Sequence, residues 1–78
     1  MTQKEFLIQL HLLGFDKTKW NSTVYSIPYR ITVQVDRKSK YHIKVHSSND
    51  FRAEYKDYTK AIAFILWELD YEPETTTH

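Results

Sequence analysis

Between Tyr29 and His46 apolar and polar residues alternate one for one. Tyr29, Ile31, Val33 and Val35, then Tyr41, Ile43 and Val45, take one set of positions; Arg30, Thr32, Gln34, His42, Lys44 and His46 take the other. A period of two is the mark of a strand with one face in a core and one in water. The pattern predicts strands at 29–36 and 41–47, joined by the polar bend RKSK, which is long enough for a four-residue hairpin loop. Upstream the period changes. Phe6, Leu10 and Leu13 recur at helical spacing, and Thr2 with Glu5 matches the T-x-x-E capping box, so a helix is expected over 3–13. Gly14, the only glycine, sits where a left-handed C-cap would close it, with Phe15 placed to fold back over the last turn.

Residues 16–28 read as a loop leading into a short strand. Asn21 and Ser22 favour a turn, Thr23, Val24, Tyr25 and Ile27 favour extended backbone, and Pro28 ends the strand for want of a donor. The segment 51–56 has two readings. Phe51, Ala53 and Tyr55 alternate with Arg52, Glu54 and Lys56 as a strand after an SSND turn, yet Phe51, Tyr55, Tyr58, Ile62, Ile65 and Leu69 also step as one helical stripe. The strand is preferred because Asp57 supplies a separate N-cap before Tyr58. A last helix follows at 58–71, with Tyr58, Ala61, Ile62, Ile65, Leu66 and Leu69 as its main face, and Pro73 stops it. Residues 1–72 then form one domain, and 73–78 are expected to be a disordered tail. The fold class is α+β: a two-layer sandwich in which an antiparallel meander of three to four strands is covered on one face by the N- and C-terminal helices, αβββα or αββββα.

Composition narrows the function classes. With 78 residues and no cysteine, disulfides and thiolate metal sites are excluded, which fits a reducing compartment. The apolar stretch near the start is broken by Lys4, Glu5, Gln9 and His11 and is too short to span a bilayer, so a cytoplasmic protein without membrane attachment is expected. The net charge of +1 gives no global field, but its distribution is uneven. Arg30, Arg37, Lys38, Lys40 and Lys44 face only Asp36 between positions 30 and 46, whereas Glu54, Asp57, Glu68, Asp70, Glu72 and Glu74 come late.

Catalytic signatures are few. His42 and His46 have the H-x3-H spacing of zinc ligands on a helix, but four residues of strand span about 13 Å, too far for one ion. They read as outward polar residues that would add charge below about pH 6.5. The serines lie in turns or the uncertain strand, no G-x-S-x-G elbow exists, and one glycine cannot build a phosphate-cradling loop. Glu68 and Glu72 read as ordinary polar positions on a helix face. No enzyme, cofactor or metal site is expected.

Two surfaces remain as candidates. The first is the basic sheet face and hairpin: Arg30, Arg37, Lys38, Lys40, His42, Lys44, His46 and Arg52. It suits the carboxylates of an acidic protein or the phosphates of a nucleic acid, though long cations also simply keep a solvated strand from aggregating. That face carries no aromatic residue, which disfavours stacking of unpaired bases. The second is apolar. Phe64 and Trp67 point away from the main stripe of the last helix, as Ile8 and Leu12 do from that of the first. Side-by-side packing of the helices would bury all four; otherwise they would mediate a homodimer or dock a partner.

The order helix, three strands, helix resembles the double-stranded RNA-binding domain. That family presents a glycine-containing basic loop and a lysine cluster at its last helix, where this chain has RKSK and the single Lys60 of DYTKAIA, so none of its residues is carried over. The expected function is that of a small binding protein acting by occupying a partner's surface, as a regulator or inhibitor would, including one encoded by a phage. Phosphate-directed nucleic-acid binding is the first alternative and a homodimer through helix faces the second.

Overall fold

A computed structural model describes residues 1–18, 23–48 and 50–70. Helix α1 spans Gln3–Leu12 and is followed by strands β1 (Asp16–Lys17), β2 (Val24–Ile27), β3 (Ile31–Val35), β4 (Ile43–Ser47) and β5 (Arg52–Tyr55), then helix α2 (Tyr58–Asp70). The strands form one antiparallel sheet in the order β1-β2-β3-β4-β5. The small α+β meander expected from the sequence is therefore present, and segment 51–56 is a strand. Two-residue β1 is an addition: Asp16 and Lys17 pair with Ser26 and Tyr25 inside the stretch read as loop. The five strands among the described residues also set the chain apart from the three-stranded order of the double-stranded RNA-binding domain. The turn at Asn21 and Ser22 and the tail at 73–78 lie outside the described residues.

Each element begins or ends as its sequence requires. The Thr2 backbone N–H donates to Glu5 Oε1 at 2.8 Å, and the Glu5 N–H donates to Thr2 Oγ1 at 3.2 Å, which completes the capping box. At the other end the Phe15 N–H donates to the Leu10 carbonyl and the Gly14 N–H to that of His11, with Gly14 at φ +99°. This is a Schellman closure, and it brings Phe15 onto Leu10 in the core. Asp57 caps α2 by accepting the Thr59 N–H at 2.8 Å. In the β4–β5 hairpin the Asp50 N–H donates to the Ser47 carbonyl, Asp50 sits at φ +67°, and the Ser47 N–H donates to the Phe51 carbonyl.

The capping box carries a pH dependence. Bonding from the Thr2 backbone and hydroxyl holds the Glu5 carboxyl below its ordinary value of 4.5. A carboxylate whose folded value is lowered contributes stability above its unfolded value and loses it as pH falls through the folded one. Glu5→Gln is thus expected to melt below the wild type at pH 7, with the gap closing as the pH falls below 4.5. Melting curves from pH 7 to about pH 3 check this; a gap independent of pH would contradict it.

The core lies between the sheet and the helices. Phe6 and Leu10 of α1, Phe15, Ile31, Val33 and Val35 of β3, Ile43 and Val45 of β4, and Ala61, Ile62 and Ile65 of α2 are buried together. Three positions differ from the alternation and the helical count. Tyr29 is not in the core set: it is 100 % exposed at φ +64° in the turn closed by the Arg30 N–H and the Ile27 carbonyl. Pro28 and positive φ at the next residue are the requirements of a type II turn, so the alternation begins two residues late, at Ile31. On α2, Leu66 is exposed while Glu68 is buried at 3 %. At about 100° per residue, Glu68 falls within the stripe centred on Ile65 and Leu66 outside it. No helix among the described residues is long and apolar enough to cross a membrane.

Candidate functional site

Helices α1 and α2 pack against each other, and α2 against β4 and β5, so one face of the sheet is covered and, among the described residues, nothing packs on the other. Strand alternation and register sort the side chains of the open face into two rows. Val24, Gln34, Lys44 and Glu54 form one, taking one residue from each of β2 to β5. Asp16, Ser26, Thr32, His46 and Arg52 form the other, taking one from each strand. Sheet twist curves these rows into a concavity of about 810 Å³, lined by Val24, Thr32, Gln34, Lys44, His46, Arg52 and Glu54.

The electrostatics are more balanced than the run of cations suggests. Lys44 Nζ lies 4.0 Å from Glu54 Oε2 across the strand pair, and both side chains are about half exposed. His46 Nε2 lies 3.7 Å from Asp50 Oδ1. Arg52 sits opposite His46 and makes no ion pair among the described residues. The face thus presents donors from Lys44, Arg52 and Gln34 beside the carboxylates of Glu54 and Asp16, not a continuous cationic field. Such exposed pairs contribute little to folding and leave their groups available to a ligand.

Of the eight cations and histidines expected on one surface, only Lys44, His46 and Arg52 line the concavity. Arg30 turns toward the helix layer, where its guanidinium donates to the Leu69 carbonyl near the C-terminus of α2. A cation there satisfies an orphan carbonyl and suits the helix dipole. Arg37 borders a shallow cleft with Thr2, Gln3, Lys4, Leu7 and Ile8 of the α1 N-terminal region. Lys38 donates its backbone N–H to Asp36 Oδ1, which shapes the β3–β4 loop. Lys40 and Lys56 both approach the Tyr41 ring, at 5.6 and 5.7 Å from its centroid. His42 is half buried at the base of that loop, its carbonyl accepting the Asp36 N–H. Among the described residues no cluster of three or more His, Asp or Glu could hold a metal ion.

The four apolar candidates do not form one patch. Phe64 and Trp67 turn to the β5 edge: Phe64 lies 6.1 Å from Tyr55 with the ring planes tilted by 46°, Trp67 meets Phe51 edge-on at 5.4 Å, and the Phe64 and Trp67 rings lie 5.8 Å apart. Trp67 remains half exposed. Ile8 and Leu12 are 48 % and 72 % exposed on α1, so the helix pairing does not bury them. That pairing instead uses Phe6 on Tyr58, at 5.2 Å between centroids.

Sequence reading missed the β2 contribution to the open face, Val24 and Ser26, because four residues preceding a proline give too short an alternation to assign a side. It also missed exposed Tyr29; the signal was Pro28 before it, which sets up a turn. Comparison of the chain with protein-family models, with curated proteins and with solved structures gives no match to any of them.

Proposed function

We propose that this is a small non-catalytic binding protein of the cytoplasm that acts by occupying the surface of another protein with the open face of its sheet. One observation carries the reading: among the described residues nothing covers the second face of the sheet, and that face is concave and lined with Lys44, His46, Arg52, Gln34 and Thr32. These groups suit a partner segment that places a carboxylate against Arg52 and His46 and a polar or cationic group against Glu54. A regulator or inhibitor that works by steric occupation needs no more chemistry than this. Mixed charge argues against the alternative, duplex nucleic acid, because phosphate binding draws on a continuous cationic surface.

Capture from cell lysate with and without nuclease, using the wild type and a Lys44→Glu/His46→Glu variant, tests the reading. A protein partner retained after nuclease and weakened about tenfold or more by the variant is the expected result. Equal capture by both forms would remove the open face from consideration. Capture abolished by nuclease, with affinity falling steeply in salt, would replace the reading by nucleic-acid binding. Lys38→Glu/Lys40→Glu provides the control, since those side chains belong to the loop and not the concavity.

A further inference from the structure

We propose that β5 pairs antiparallel with the β5 of a second copy about a twofold axis at Ala53, joining two five-stranded sheets into one of ten. Among the described residues β5 has a strand neighbour on one side only. The Ser47 N–H bonds to the Phe51 carbonyl, and the register places Val45 opposite Ala53 and Ile43 opposite Tyr55. Because hydrogen-bonded and non-bonded pairs alternate along an antiparallel ladder, Phe51, Ala53 and Tyr55 turn their backbone groups toward β4. Arg52 and Glu54 therefore turn theirs outward, where no strand among the described residues bonds them.

The sequence of this edge is complementary to itself when reversed. In Asp50-Phe51-Arg52-Ala53-Glu54-Tyr55-Lys56, an axis at Ala53 sets Arg52 against the second copy's Glu54, and Glu54 against its Arg52. Phe51 then meets Tyr55, and Asp50 meets Lys56, each pair occurring twice. Arg52 and Glu54 form the bonded pairs this register needs, and small Ala53 occupies the close non-bonded position on the axis. Shifting the axis to Arg52 opposes Arg52 to itself and Asp50 to Glu54. Shifting it to Glu54 opposes Glu54 to itself and Arg52 to Lys56. An axis between residues would set an outward backbone against an inward one. Of the registers centred on the strand, only the Ala53 axis pairs opposite charges throughout.

The helix layer fits the same operation. A twofold axis normal to the sheet keeps both helix layers on one side. Since α2 lies over β4 and β5 and strands are about 4.8 Å apart, α2 and its symmetry mate come to lie roughly 10 Å apart, a helix-packing distance. Phe64 and Trp67, on the edge side of α2, then face their counterparts, and the exposed half of Trp67 is covered. By contrast, β1 offers two residues at the opposite edge among those described, too few for a ladder.

Sedimentation equilibrium with a charge swap tests the proposal. The wild type is expected to pass from 9.4 kDa toward twice that mass between about 1 µM and 1 mM, the range suited to a short edge and one aromatic contact. Arg52→Glu sets like charges opposite each other twice and is expected to raise the dissociation constant about tenfold or more. The double variant Arg52→Glu/Glu54→Arg restores opposite charges and should return within about threefold of the wild type. Glu54→Pro, which removes an outward N–H alone, should be monomeric and serves if a charge variant proves unfolded by circular dichroism. A wild type that stays at 9.4 kDa throughout, or a dimer indifferent to Arg52→Glu, overturns the proposal. So does a double variant that fails to recover.

Discussion

Phe6→Ala is expected to lower the unfolding free energy by about 3–5 kcal/mol, the usual cost of deleting a buried phenylalanine ring. Phe6 has no exposed surface, and its ring packs at 5.2 Å on Tyr58, the first residue of α2. It is one of only two buried residues on α1, the other being Leu10, so the truncation removes much of what holds that helix to the domain. A domain of 78 residues has a total stability of roughly 4–12 kcal/mol. The loss is therefore comparable to the whole, and the melting temperature should fall by roughly 15 °C or more. Urea unfolding followed by circular dichroism measures it, with Ile8→Ala on the exposed side of α1 as the control, expected to change stability by under about 1 kcal/mol. A Phe6→Ala loss no greater than that of Ile8→Ala would mean that α1 is not anchored as described.

The elements legible from sequence were those specified by residues within a few positions of one another. The capping box of Thr2 and Glu5, the left-handed closure at Gly14, the Asp57 cap and the alternation through Ile31–Val35 and Ile43–Val45 are local signals, and each one stands in the fold. What sequence could not supply depends on partners distant in the chain. Strand β1 exists only because Asp16 and Lys17 meet Ser26 and Tyr25. Burial of Glu68 in place of Leu66 depends on how far α2 is rotated over the sheet and α1. The basic surface shows the same limit. Counting cations between Arg30 and His46 located charge along the chain, but Arg30 reaches Leu69, thirty-nine residues on, while Glu54 crosses the strand pair to Lys44. Signs were readable; neutralising partners were not. Phe64 and Trp67 stand out in the sequence because they leave the α2 stripe, yet their place over Phe51 and Tyr55 follows from β5 lying at the sheet edge.

That edge gives the second large effect, a contrast between neighbouring prolines. Ala53→Pro is expected to cost about 2–4 kcal/mol: it deletes the N–H that bonds across to Val45, leaves a carbonyl of a central strand without its donor, and sets a ring against β4. Glu54→Pro removes an N–H that points away from β4, and its cost to the monomer is expected to stay under about 1 kcal/mol, because an edge strand tolerates proline on its outward side. The exposed Lys44–Glu54 pair adds little to that figure. Parity along β5 decides the outcome, since hydrophobicity and burial alone would rank the exposed glutamate and the half-buried alanine by size and not by hydrogen bonding. Urea midpoints for the two variants, taken at a concentration where both are monomeric, measure the contrast. Equal losses would show that the β4–β5 ladder does not alternate as the Ser47–Phe51 bond implies, and the outward groups of Arg52 and Glu54 would then have no claim to a second strand.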